Sequence, residues 1–254
     1  MWGLNGALET FCSREFGKNN YDKMGLYLNR GKMVCTIIMI LISVVFSQSD
    51  KILIAIKMDP VVSIIAKRYC CILIPGVWAM GMFDATRKFL ICQFHVWETV
   101  WIQLITLVLH IFLCWLLIWH YPLAEVGAAI ATNITYILNM LICDVWCSKN
   151  ASIKGFSLPT MEVFSDLGEY LKVGISGALM LCFEWWAFEI LAIFSGLLGV
   201  EALAAEVVII NLVTFIFMVP LGISYSASAL TGYFLGKKDL ARAKKYSSLT
   251  LVFN

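Results

Sequence analysis

Two acids sit inside one of the most apolar runs of this chain. The stretch from Gly174 to Leu198, GISGALMLCFEWWAFEILAIFSGLL, carries Glu184 and Glu189 with Trp185 and Trp186 between them. About 20 predominantly apolar residues, at 1.5 Å rise each, cross a roughly 30 Å hydrocarbon core, so this run can span a bilayer. A charge at mid-bilayer costs on the order of 2.5–3.5 kcal/mol on the insertion scale. A chain does not normally carry that cost twice in one helix for packing alone. Desolvation disfavours an ionised carboxylate, so an acid held there can take up and give back a proton. Glu184 lies near the middle of the span and is expected to face a protein-lined cavity. Glu189 points about 140° away around the helix and lies nearer one membrane face. For both, the plainer role is a hydrogen bond to a neighbouring helix. The rings nearby, Phe183, Trp185, Trp186, Phe188 and Phe215, could wall a flat cation through their π faces. Packing in the core or against lipid accounts for most of them, and Trp185 and Phe188 are the pair singled out.

The elements that must hold these side chains are membrane helices. Hydrophobic residues make up 61% of the chain and charged ones 14%, against roughly 45–50% and about 25% in soluble domains. The mean hydropathy is +0.84. The fold class is therefore an all-α integral membrane protein. A net charge of +2, dispersed over loops, gives no footprint for nucleic acid. Nine cysteines fall in or beside apolar segments at no zinc-like spacing, so neither a disulfide framework nor a metal site is expected.

In order, residues 1–16 form the tail of a helix and 17–32 a polar, basic connector. The first full span covers 33–49, continued by a short amphipathic piece over 50–57. Asp59-Pro60 is a helix-start signal, with proline at the first helical position. That helix runs to about Gln93, with a bend expected at Pro75-Gly76. Spans at 96–120 and 125–147 follow, then a connector over 148–165 and the acid-bearing helix over 166–198. A last complete span, 201–235, is expected to break at Pro220 and Gly222, and 239–254 begins another. The sequence thus contains six complete spans with partial helices at both ends, and both ends look cut. Alternation gathers fourteen Lys and Arg in loops on one side, against Lys51, Lys57, Lys67 and Arg68 on the other. The basic side should be cytoplasmic. The sequon at Asn150 would then face the cytosol, and that at Asn133 lies within a span; both should stay unglycosylated.

One short internal repeat stands out. Glu15-Phe16-Gly17-Lys18-Asn19-Asn20 resembles Phe234-Leu235-Gly236-Lys237-Lys238-Asp239, with Gly17 and Gly236 219 residues apart. Each ends a helix on the basic side, where glycine suits a left-handed terminal residue. Six crossings separate the copies, so they point the same way. Parallel six-helix repeats about an axis along the membrane normal are a known transporter plan.

Longer strings carry a family resemblance. LKVGISGALMLCFEWWAFEILAIFSGLLG (171–199) resembles the seventh helix of eukaryotic multidrug and toxic compound extrusion (MATE) transporters. INLVTFIFMVPLGISYSASALTGYFLGKKDLARAKK (210–245) is similar to their eighth helix and the connector after it. NGALETFCSREFGKNNYDKMGLYLNRG (5–31) resembles the end of their second helix, and LIPGVWAMGMFDATRKFLICQ (73–93) their fourth. LVLHIFLCWLLIW (107–119) and EVGAAIATNITYILNMLI (125–142) resemble the fifth and sixth. The resemblance is collinear and covers almost the whole chain. It implies a partial MATE-type bundle, from the end of the second helix to the start of the ninth. Residues 1–150 would be the remainder of the N-terminal six-helix lobe, 151–165 a cytoplasmic linker, and 166–254 the first part of the C-terminal lobe. Gly177 stands where the family usually has proline.

The resemblance further implies export of organic cations and other xenobiotics in exchange for protons, the coupling ion of the eukaryotic branch, rather than sodium. Glu184 matches the proton-carrying Glu of the seventh helix, Glu189 the second Glu of that run, and Asn211 an eighth-helix Asn that lines the same cavity. The family's acidic partner on the tenth helix has no counterpart here. No cofactor is implied, and the expected setting is monomeric and multi-pass, in a plasma or a vacuolar or vesicular membrane. Competing readings are a truncated, non-transporting fragment of such a protein and a related lipid-linked sugar flippase. A flippase predicts a cationic cavity, whereas these span interiors are acidic and aromatic. An enzyme is the weakest reading: GxSxG, HExxH, P-loop and GxGxxG are all absent, and the histidines (95, 110, 120) are scattered.

Three polar groups are expected to be structural. His110 and Cys114, spaced i and i+4, have the spacing of a chelate, but two ligands without a third favour packing or an interhelical hydrogen bond. Asn133, Tyr136 and Asn139 share a face of the sixth helix and are expected to hold helices together. Asp84, Arg87 and Lys88 are expected to form a solvated cluster with an Asp–Arg pair.

Overall fold

Nine α-helices account for nearly all the regular structure of the described residues, which are 1–55, 59–121, 123–157, 161–165 and 167–253 of this computed structural model. The helices are α1 (Asn5–Gly17), α2 (Tyr21–Ser47), α3 (Ser49–Ala55), α4 (Pro60–Cys92), α5 (Val96–Cys114), α6 (Ala124–Lys149), α7 (Leu167–Leu198), α8 (Val200–Gly236) and α9 (Leu240–Phe253). A wider π-helical turn, Trp115–His120, extends α5, and one short 3₁₀ turn lies at Met161–Phe164. Among the described residues six helices are long and apolar enough to cross a membrane, which agrees with the six expected spans.

The start of α4 follows from local chemistry. Asp59 caps it, its Oδ1 accepting from the N–H groups of Val61 at 2.8 Å and Val62 at 3.3 Å, with Pro60 at the first position. Two expectations need correction. The connector over 17–32 shrinks to residues 18–20, because Asn20 starts a new helix and the basic stretch winds into α2. Nor does 201–235 break: α8 runs unbroken through Pro220 and Gly222 for 37 residues. Backbone in lipid must bond within its own helix, and one missing proline donor costs less than a fully opened turn. Residues 56 and 57 of the expected amphipathic piece lie outside the described residues; the rest of it is α3.

The chain packs as two compact units. One comprises Met1 and Gly25–Ser165. In it α6 packs along α4 and α5, and α3 along α4. A polar seam ties these helices. Thr106 Oγ1 donates to Asn139 Oδ1 at 2.8 Å, His110 Nδ1 meets Thr135 Oγ1 at 3.0 Å, and the Asn133 amide donates to the Ile72 carbonyl. His110 and the asparagines therefore do the helix-joining work expected of them, with Cys114 Sγ 3.5 Å from His110 Nε2. The Asp84–Arg87 pair forms at 2.6 Å, but Asp84 and Lys88 are buried, so the cluster is packed rather than solvated. The connector after α6 is strapped to this unit: Gln93 both donates to and accepts from the backbone of Lys154, and Asn29 donates to the Ser157 carbonyl.

The other unit comprises Trp2–Met24 and Asp166–Asn254. Here α1 packs against both α7 and α8, α7 against α8, and α8 against α9. Gly174 and Gly177 of α7 receive the chain at Gly3 and Leu4; a Cβ on Gly177 would come within 2.9 Å of the Gly3 carbonyl oxygen. Where the resemblance expects proline, this chain thus uses glycine for a close backbone approach. Phe11 of α1 stacks on the fully buried Tyr170 of α7 at 6.2 Å between ring centres.

Candidate functional site

The acid-bearing helix and its neighbour form a hairpin with a one-residue turn. Gly199 is the sole residue between α7 and α8, at φ 130° and ψ 172°, a conformation that side-chain-bearing residues avoid. The tight turn fixes depth on the two helices. At 1.5 Å per residue, Glu184, Trp185, Phe188 and Glu189 lie about 15–22 Å from Gly199 along α7. Asn211 and Phe215 lie about 18 and 24 Å from it along α8. All six candidate residues therefore occupy one slab roughly 10 Å thick, well inside both spans.

Within α7, Phe188 follows Glu184 at i+4, and Glu189 follows Trp185 at i+4, so each carboxylate has an aromatic neighbour on its own face. Trp185 and Phe188 meet edge-on with ring centres 6.3 Å apart, joining the two faces; Phe183 and Trp186 meet likewise at 6.0 Å. Glu184 and Glu189 are exposed in this structure, Trp185 is 40% exposed and Phe188 half-buried. On α8, Asn211 turns its amide back to the Val207 carbonyl at 2.8 Å, one turn earlier on its own helix, and leaves its Oδ1 as an acceptor. Phe215 is 80% exposed and one turn further along the same face. These groups share one depth along α7 and α8, and of them Trp185 and Phe188 are in ring contact.

A second ionic site escaped the sequence reading. Lys32 of α2 donates to both carboxylate oxygens of Asp144 on α6, at 2.8 and 2.9 Å, and Thr86 of α4 donates to the same carboxylate at 2.8 Å. Trp78 and Thr36 join by a hydrogen bond of 3.1 Å nearby, and a cavity of about 640 Å³ opens beside Lys32, Asp144, Met33, Met82 and Phe156. The signal for it was present: Asp144 is an acid between Cys143 and Val145 in the last turns of an apolar span. Asn5 and Glu9, spaced i and i+4 on α1, are also buried polar residues that the reading passed over.

Six long apolar helices, with a carboxylate-bearing hairpin among them, define a multi-pass helical membrane protein. The MatE family model matches residues 1–116 and 177–254. Protein DETOXIFICATION 16 of Arabidopsis thaliana is 32% identical over 250 residues, covering 96% of this chain and 51% of that protein. Multidrug and toxin extrusion protein 1 of Oryctolagus cuniculus is 28% identical, covering 99% of this chain and 44% of that protein. The crystal structure of the eukaryotic MATE transporter AtDTX14 superimposes with a TM-score of 0.92 at 27% identity, over 99% of this chain and 57% of that one. The chain belongs to the MatE family of multidrug and toxin extrusion transporters. It spans about half the length of the curated relatives it matches.

Proposed function

We propose that this chain acts in secondary active export of organic cations and other xenobiotics by proton antiport. Glu184 is the proton-coupling residue, with Glu189 as its second acid, and Asn211, Trp185, Phe188 and Phe215 line the substrate cavity. Protonation of Glu184 from the non-cytoplasmic side neutralises the site, weakens its hold on a cation and favours release. Deprotonation towards the cytosol restores affinity. Such a cycle runs only because the two states bind cargo differently. In this reading residues 1–150 belong to the N-terminal lobe, 151–165 to the inter-lobe linker and 166–254 to the C-terminal lobe. The coupling ion is a proton rather than sodium, no cofactor takes part, and the transporter works as a monomer in a plasma or vacuolar membrane.

The observation that carries this reading is an acid inside the family-matched helix α7, level with Asn211 across a one-residue turn. The test is cation efflux from membrane vesicles under an imposed pH gradient. The chain should export faster with an opposing proton gradient, and Glu184→Gln should lose that acceleration. An unchanged gradient dependence in Glu184→Gln would refute the assignment.

A further inference from the structure

The Lys32–Asp144 pair opens onto a cavity that the transport reading does not use, and its hydrogen bonds leave capacity on both partners. Asp144 Oδ1 accepts from Lys32 Nζ and from Thr86 Oγ1, each at 2.8 Å, whereas Oδ2 accepts from Lys32 at 2.9 Å. An ionised carboxylate offers about four lone-pair positions, so Oδ2 keeps room for one further donor. An ammonium has three N–H groups, of which Asp144 takes two. The Lys32 nitrogen also stands over the Phe156 ring, 5.4 Å from its centre, on the cavity wall. The cavity thus presents an acceptor and a donor side by side, with opposite charges that cancel.

The rest of the wall is mostly apolar and held in place. Phe156 meets Phe89 of α4 edge-on with ring centres 6.4 Å apart, and Asn29 of α2 ties down the adjacent Ser157. Met33, Met82, Val145 and Val163 complete a volume of about 640 Å³, inside the roughly 300–1,000 Å³ range of small-molecule sites. Depth narrows the choice of ligand. Asp144 lies five residues before the end of α6 at Lys149, and Thr86 six before the end of α4 at Cys92, about 8 and 9 Å along the axes. The polar layer outside the hydrocarbon of one leaflet is about 5–8 Å thick. The ion pair therefore sits where headgroup gives way to acyl chain. From there an exposed apolar stripe climbs α2 from Met33 through Ile37, Leu41 and Val44, spaced four, four and three residues apart. On α6 Val145 and Leu141 continue inwards in the same way, each about half exposed.

We propose that this cavity binds the headgroup of an ethanolamine phospholipid of the basic-side leaflet, with the acyl chains lying along the α2 and α6 stripes. The lipid ammonium donates to Asp144 Oδ2, and the lipid phosphate accepts from Lys32. Site and headgroup are each a neutral pair of opposite charges, so they match dipole against dipole. A choline headgroup has no N–H to donate and holds its charge behind methyl groups. A glycerol headgroup brings an anion and leaves Asp144 without a cation. The apolar stripes select a membrane lipid over a free phosphoamine of the same headgroup chemistry. Once bound, the lipid braces α2 against α6 and the connector.

Native mass spectrometry of the chain in detergent, offered dioleoyl phospholipids that differ only in headgroup, tests this. The ethanolamine lipid should be retained about tenfold more tightly than the choline lipid, as one charge-assisted hydrogen bond implies, and more tightly than the glycerol lipid. Lys32→Met combined with Asp144→Leu should retain all three alike. Val145→Trp, which fills the cavity and keeps both charges, should lose the ethanolamine lipid. Lys67→Met combined with Asp50→Leu removes a different ion pair, between α3 and α4, and should keep the preference. Glycerophosphoethanolamine, which has no acyl chains, should fail to compete at equal concentration. Equal retention of the three lipids by the unaltered chain overturns the proposal, as does preference for the glycerol lipid. So does a preference that is lost with the Lys67–Asp50 pair and kept without the Lys32–Asp144 pair. Full competition by glycerophosphoethanolamine assigns the cavity to a soluble zwitterion and overturns the lipid. If the Lys32 and Asp144 double variant does not fold, the headgroup ranking of the unaltered chain and the Val145→Trp result decide.

Discussion

Replacing Lys32 by methionine removes one ammonium from the α2–α4–α6 junction and leaves Asp144 with Thr86 as its donor. Removing one partner of a buried ion pair costs roughly 3–5 kcal/mol, mostly for the charge left behind. This pair is not fully buried, since the side chains of Lys32 and Asp144 are 14% and 30% exposed. Water reaches the carboxylate, so the cost falls to about 2 kcal/mol. For a domain of 150–250 residues about 2–4 °C of melting temperature accompanies each kcal/mol. Lys32→Met should therefore melt about 4–8 °C lower in detergent, followed by intrinsic tryptophan fluorescence. Lys32→Met combined with Asp144→Leu should recover most of the loss, because an apolar pair of similar volume is tolerated where an unpaired charge is not. A single variant that melts within 1 °C of the parent, or a double variant that adds the two losses, would refute the reasoning.

Two further predictions follow from the same structure. Asp50 of α3, outside the spans, accepts from Lys67 at 2.9 Å, and this hydrogen bond is the main cause holding its carboxyl below the ordinary value. A lowered folded-state value means the pair stabilises above the usual carboxylate range and fades as pH falls through the lowered value. Exchange at amides 50–55, corrected for its intrinsic pH dependence, should rise below about pH 4, and Lys67→Met should show that exposure already at neutral pH. In the aromatic pair, Trp185→Ala should weaken binding of a flat organic cation by about 3- to 30-fold in a competition assay, and Trp185→Phe should keep most of it.

What the sequence disclosed was whatever one segment decides for itself. Asp59-Pro60 set the start of α4 because an acceptor followed by a residue without an N–H is complete locally. The long spans showed through length and apolar content, and the repeat through two short strings. What it hid depended on partners far along the chain. Lys32 and Asp144 are 112 residues apart, so neither string reveals the pair. Asp84 read as solvated because its neighbours are charged, yet packing buries it. Residues 21–32 read as a loop because they are basic, whereas Lys and Arg are good helix formers once Asn20 supplies a start. The break at Pro220 was a rule for helices in water, where an opened turn finds solvent; in lipid the helix runs on. At the candidate site, residue types and the depth of Glu184 were legible. The single-glycine turn that brings Asn211 level with it was not, because it rests on the backbone conformation of Gly199 alone.

The central claim is that Glu184 exchanges protons for cargo. Its most direct test is proton release evoked by substrate: the chain reconstituted in vesicles with a pH-sensitive dye, challenged with an organic cation in the absence of any imposed gradient. The account predicts proton movement opposite to the cation in the unaltered chain and none in Glu184→Gln, with the cation still bound. Equal proton release from both would contradict it.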